Sequence, residues 1–169
     1  SMRFLSLEID ELGAIRYKVT PLNSDATISF EPYLDASIKN KDSNWDDQFW
    51  DITNIHRNSE RSFIEAQTMK TAFKTCTFMQ SKCFLNEQPL NSISEPFETN
   101  TTISEKFTQS VEKGAVYEIQ KFGGYTVERT HGTPLVKAAN KVLDLLEFQD
   151  FESLLSSQQL AWTSIWNTA

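Results

Sequence analysis

Through roughly the first 130 positions, apolar and polar residues alternate in short runs, the period-two pattern of half-buried strands. In "AIRYKVTP", Ile15, Tyr17 and Val19 fall on one face and Arg16, Lys18 and Thr20 on the other. Pro21 and "NSD" then break the run before "ATISF" resumes. "TISEKFTQSV" puts Ile103, Phe107 and Val111 on one side, and "AVYEIQKF" follows the turn "EKG". Lys113-Gly114 between two alternating runs predicts a hairpin. "RSFIEAQT" and "AFKTCTFMQSKCFL", rich in Phe, Thr and Ile, read as further strands. Many strands at short spacing without intervening helices predict an antiparallel sandwich or barrel.

The period changes at Thr133. "TPLVKAANKVLDLLEF" opens with a Thr cap and Pro at the first helical position, and Leu135, Ala138, Ala139, Val142 and Leu146 share a face at helical spacing. Asp150 then caps a second helix, "FESLLSSQQLAWTSIW", whose apolar stripe runs through Phe151, Leu154, Leu155, Trp162, Ile165 and Trp166. The expected fold is therefore mainly β, an antiparallel β-sandwich over residues 1–132 followed by two C-terminal α-helices over 133–169. Trp162 and Trp166 need a cover, either the sheet itself or a partner, because exposed together they add to an apolar contact patch.

Composition narrows the function classes. The 169 residues suit one domain with a real core, and 39% hydrophobic content with twelve Phe marks a folded chain. A net charge of −7 without any run of Lys or Arg argues against a nucleic-acid groove. No stretch approaches a membrane span, no basic-then-apolar leader opens the chain, and Cys76 and Cys83 suit two reduced thiols better than the alternative, a disulfide across one hairpin; a cytoplasmic protein is expected. Ser1 ahead of Met2 reads as an expression remnant.

Catalytic chemistry is sparse. His56 and His131 stand in no metal-ligand spacing, Cys-x6-Cys without nearby histidines is a poor zinc signature, and neither a metal nor a cofactor is expected. "FGGY" at 122–125 suggests a turn or bulge rather than a phosphate loop. A Cys76–His56 nucleophile pair is disfavoured against a structural thiol and an ordinary histidine. The densest stretch is "KNKDSNWDDQFWDI", in which Asp42, Asp46, Asp47 and Asp51 stand among Trp45, Phe49 and Trp50. Glycoside cleavage needs two carboxyl groups about 5 to 10 Å apart. Neighbouring Asp46 and Asp47 point oppositely if extended, whereas Asp47 and Asp51 share a face only on a helix. The favoured reading is a strap pinned to the core by its aromatics, with Trp45, Asp47, Phe49 and Trp50 as candidate sugar-facing or interface residues and no catalytic residue.

Three segments together, "RFLSLEIDELGAIRYKVTPLN", "LDASIKNKDSNWDDQFW" and "LVKAANKVLDLLEFQDFESLLSSQQLAWTSIW", resemble in order and spacing the amino-terminal domain of glycoside hydrolase family 65. That family includes maltose, trehalose and kojibiose phosphorylases and acid trehalases, and the "NKDSNWDDQFW" segment is most similar to the maltose phosphorylase branch. The resemblance implies a large two-sheet sandwich, helical linkers and an (α/α)6 barrel that holds the catalytic glutamic acid. It also implies inverting phosphorolysis, in which maltose and phosphate give glucose and β-glucose 1-phosphate. No position here matches the catalytic acid. The family plan places further strands ahead of Arg3 and the barrel after Trp166, so this stretch is expected to be an incomplete supersandwich-like domain, inactive alone. Its expected partners are that barrel, a second copy of itself in a homo-oligomer, and carbohydrate; Trp162 and Trp166 are the candidate barrel- or partner-facing residues. An autonomous carbohydrate-binding module, stacking sugar on Trp45, Trp50 or Tyr125, is the alternative.

Overall fold

Two long strands organise the molecule, which the computed structural model describes at residues 1–39, 48–91 and 93–168. β7 (Lys74–Leu85) and β11 (Tyr117–Val127) pair antiparallel from Tyr117 opposite Leu85 to Val127 opposite Thr75. Around them the large sheet runs β1 (Met2–Leu5), β2 (Leu12–Val19), β11, β7, β6 (Arg61–Thr68) and β5 (Trp50–Asn58), with β8 (Gln88–Leu90) also on β7. A small sheet centres on β10 (Thr102–Val111), which pairs with β3 (Ala26–Phe30), β4 (Tyr33–Asp35) and β9 (Glu95–Glu98). The alternating runs 26–30, 61–68 and 102–111 thus become β3, β6 and β10 with their expected bounds.

Chain order after β11 is α1 (Glu128–His131), α2 (Leu135–Asp144), a 3-10 turn (Leu145–Glu147) and α3 (Phe151–Thr168). The three layers are small sheet, large sheet and helices, which is a β-sandwich followed by helices. On the helix side, Leu12, Ala14, Phe63, Cys76, Phe78 and Phe122 meet Leu135, Ala139, Leu143, Leu146, Phe151 and Leu154 in one buried cluster. On the sandwich side, Cys83, Tyr117 and Ile119 pack with Phe107 and Val111, while Ile64 and Met79 pack with Leu34 and Ile103. β7 and β11 contribute buried side chains to both faces, Cys76, Phe78 and Phe122 on the helix side and Met79, Cys83, Tyr117 and Ile119 on the sandwich side.

Several local expectations need correction. β10 and β11 form no hairpin: the turn at Lys113-Gly114 carries the chain from the small sheet to the large one. Gly114 has φ +83°, its N–H donates to the Pro21 carbonyl at 2.8 Å, and the Lys113 N–H donates to Asp25 at 2.8 Å. Those bonds tie the corner to the β2–β3 connection instead of closing a ladder. Gly123 and Gly124 make neither turn nor bulge; they stand in regular register opposite Gly13 and Leu12. A Cβ on Gly124 would lie 1.7 Å from the Glu11 carbonyl oxygen, so the close approach of β2's entry demands glycine there. Thr133 supplies no side-chain cap, and Pro134, after a cis peptide bond, occupies the cap position of α2.

The two faces of β2 show how the layers override a simple inside–outside reading. Ile15 and Tyr17, the apolar face, remain 45% and 48% exposed, and Tyr17 meets Phe30 edge-on across the sandwich. Arg16, on the polar face, sits under the helices, with its guanidinium 4.4 Å from the Phe151 ring centroid and paired to Glu152. The planar cation stacks on the ring while its charge meets a carboxylate, so a charged residue can lie beneath a helix.

Candidate functional site

The strongest surface candidate is the far half of α3. Asp150 caps the helix: its carboxylate accepts from the Ser153 N–H at 2.8 Å, and the Ser153 hydroxyl accepts from the Asp150 N–H at 3.0 Å. These bonds hold the Asp150 carboxyl below the usual carboxylate range. Phe151 and Leu154 then bury completely, with Phe4 edge-on to Phe151 at 5.4 Å. Gln158 ties the helix to the amino-terminal segment, its side-chain oxygen accepting from the Leu7 N–H at 2.8 Å.

Beyond Gln158 the helix leaves its support. Trp166 is 70% and Trp162 44% exposed, and Leu160 and Ile165 are exposed too. The indoles of Trp162 and Trp166 stack at 6.2 Å with 23° between planes, presenting one continuous apolar plate. Their i, i+4 spacing puts them on one face of the helix.

The aromatic strap is only partly described. Trp45 and Asp47, with Asp42 and Asp46, lie outside the described residues. Phe49 is exposed, and its carbonyl accepts from the Met69 N–H at 2.9 Å. Trp50 is half-buried and opens β5 opposite Thr68. Asp51, next on the strand, is exposed. The described end of the strap is therefore fixed by backbone pairing to β6 and its turn.

A third feature went unnoticed in the sequence. An open apolar groove of 510 Å³ lies between β1, β2 and β11, with Gly13, Gly123, Leu5, Ile15 and Leu34 in its lining. Tyr125 stands 62% exposed at its side. Lys121 also lines it, donates to the Tyr33 carbonyl, and has its pKa lowered by burial. Glycines inside strands signal close approach, but whether they floor a groove depends on what the other sheet covers.

The nucleophile candidates do not assemble. The Cys76 thiol is buried among the helix-side core and pushed up to about 12 by that burial, aided by nearby Glu65, so it stays protonated and unreactive at neutral pH. His56 stacks on Phe63 at 5.0 Å and meets Asn54 at 3.2 Å. Cys76 and Cys83 lie on opposite faces of β7, about 23 Å apart along the strand, beyond any disulfide with each other. Among the described residues no group of three His, Cys, Asp or Glu is placed to hold a metal ion, and no helix is long and apolar enough to cross a membrane.

Comparison with known proteins agrees with this layout. The N-terminal domain model of glycosyl hydrolase family 65 matches residues 1–165. "Maltose phosphorylase" from Bacillus subtilis (strain 168) is 37% identical over 99 residues, which cover 59% of this chain and 13% of that protein. A solved structure described as "Putative kojibiose phosphorylase from human microbiome" superposes with a TM-score of 0.75 at 14% identity, over 95% of this chain and 20% of the other. At that identity the superposition speaks for the fold. The matched stretches span 13% and 20% of these relatives' lengths.

Proposed function

Because this chain belongs to the N-terminal domain family of glycosyl hydrolase family 65, we propose that it serves as the noncatalytic sandwich of a disaccharide-cleaving enzyme. The catalytic domain of that enzyme seats on the far half of α3. The observation that carries this reading is the Trp162–Trp166 plate, held out on a helix whose near half is anchored in the core. An apolar plate on a rigid, capped helix is suited to a permanent contact, since little side-chain freedom is lost when it is covered. In the intact enzyme the reaction is phosphorolysis of a glucose disaccharide such as maltose. Phosphate attacks the anomeric carbon with inversion, and an acid outside these residues protonates the departing sugar.

Two measurements test the reading. Maltose and phosphate incubated with this chain alone should release no glucose 1-phosphate; product formation would end the scaffold role. In a full-length enzyme, replacing Trp162 and Trp166 with Ser should lower the melting temperature and separate the unfolding of the two domains. Unchanged cooperative unfolding would place the catalytic domain elsewhere. The outer edge of β1 and the open groove also suit association with a second copy, which light scattering reads directly.

Tyr125, exposed beside the groove, favours a second reading as a carbohydrate-binding module. A saturable change in tyrosine and tryptophan emission on titration with maltose, trehalose or glucose supports it, and silence with all three removes it.

A further inference from the structure

The inner edge of the large sheet contains a notch. β6 pairs with β7 only as far as Arg61 opposite Gln80, and β8 resumes the edge at Leu90 opposite Cys83. Ser81 and Lys82 therefore have no strand beside them on that side. A 240 Å³ cavity opens there between the two sheets, with Ser81, Cys83, Leu90, Asn91, Glu105 and Phe107 in its lining. One water occupies about 30 Å³, so the space exceeds a single bridging solvent molecule several-fold.

Its chemistry is polar, charge-balanced and half apolar. The Ser81 residue is only 6% exposed, and its hydroxyl has no hydrogen-bond partner among the described residues. Buried hydroxyls are nearly always paired, so an orphan lining a cavity points to an occupant. Glu105 is 2% exposed; its Oε1 accepts from the Ser62 hydroxyl at 3.3 Å and lies 3.1 Å from Arg57 Nε. Arg57 in turn donates to the Ser94 hydroxyl at 2.7 Å. The cation thus offsets the carboxylate before any ligand arrives. The nearby Lys82 ammonium turns the other way, donating to the Leu146 carbonyl at 3.1 Å on the helix side. Exposed Glu60 at the rim discourages an anion, while Leu90 and Phe107 offer an apolar wall to C–H groups.

We propose that this notch binds a neutral polyol of about one hexose ring, with the Ser81 hydroxyl and the Glu105 carboxylate meeting its hydroxyl groups. The site is independent of the helix plate and of the groove beside Tyr125, so it stands or falls separately from both readings above.

Saturation-transfer NMR on this chain, with glucose, glycerol and glucose 6-phosphate as probes, tests it. Glucose should give a saturable signal, glycerol a weaker one, and the phosphate ester none. Ser81→Val should weaken glucose binding about tenfold and the rim change Asn91→Ala about threefold, while Tyr125→Ala leaves it unchanged. Circular dichroism checks that Ser81→Val is folded; if it is not, exposed Asn91 decides, because its replacement spares the core. No saturable glucose signal, binding insensitive to Asn91→Ala, or binding lost only in Tyr125→Ala would each overturn the assignment.

Discussion

The two halves of α3 have similar apolar content and opposite fates. From Phe151 to Gln158 the helix is capped, buried at Phe151 and Leu154, and tied to the amino-terminal segment through Leu7. From Gln159 to Thr168 it carries two tryptophans, a leucine and an isoleucine, all exposed. The difference lies in what stands opposite. The near half faces Phe4, Ala14, Arg16 and Phe122 on the large sheet, and the far half runs on past that support. Hydrophobic residues stabilise a fold only where a second apolar surface meets them, and elsewhere the same residues make a docking plate.

Substitutions can break that contrast, and the largest effect belongs to the anchor. Phe151→Ala should cost about 3–5 kcal/mol, through lost burial, a cavity among Leu12, Phe122 and Leu154, and loss of the ring beneath Arg16. Urea unfolding followed by circular dichroism measures it, and a loss below about 1 kcal/mol would mean the near half is not the anchor.

The cap comes next. Asp150→Ala should cost about 1 kcal/mol. Its pH dependence has a definite sign. The folded pKa of Asp150 is depressed, so its contribution is complete above the unfolded carboxylate value, near 3.9, and is lost as pH falls through the lower folded value. Asp150→Asn keeps a capping oxygen but removes that titration. Wild type should therefore converge on the Asn variant in strong acid, and parallel stability curves would contradict the assignment.

At the border between the halves, Gln158→Ala should cost about 0.5–1.5 kcal/mol by freeing the Leu7 N–H, less if water replaces the amide. Faster amide exchange at Leu7 in that variant is the local signature. Smallest of all, Trp162→Ser with Trp166→Ser should change the stability of this chain alone by no more than about 0.5 kcal/mol. The same pair should remove the iodide-quenchable emission that the two exposed indoles contribute. A large stability loss would mean the plate is already covered, for instance by a second copy.

Much of this was legible beforehand, and the failures share a cause. The bounds of β3, β6 and β10, the Asp150 cap and the helical stripe through Leu135, Ala139, Val142 and Leu146 all follow from local periodicity and local hydrogen bonding. Lys113-Gly114 reads alike for a hairpin and for a corner between sheets, because both need the same tight reversal. Gly123 and Gly124 announce close approach without saying that Glu11 and Phe78 are the approaching groups. Of the candidate site residues, Trp162 and Trp166 could be named from the helix pattern. Ser81 and Glu105 could not, since a lone polar residue in a strand usually faces water.

The sequence by itself determined the longer strands and the two C-terminal helices, the Asp150 cap, and the direction of each side chain relative to its neighbours. It also carried enough of the family pattern to place the chain among family 65 N-terminal domains. Tertiary structure alone decided that Arg16 rather than Tyr17 lies under a cover, that one half of α3 is core and the other surface, and that β6 stops short of Ser81. The physical reason is that periodicity describes one segment's own geometry, whereas burial belongs to two surfaces meeting, and the second surface comes from a distant part of the chain.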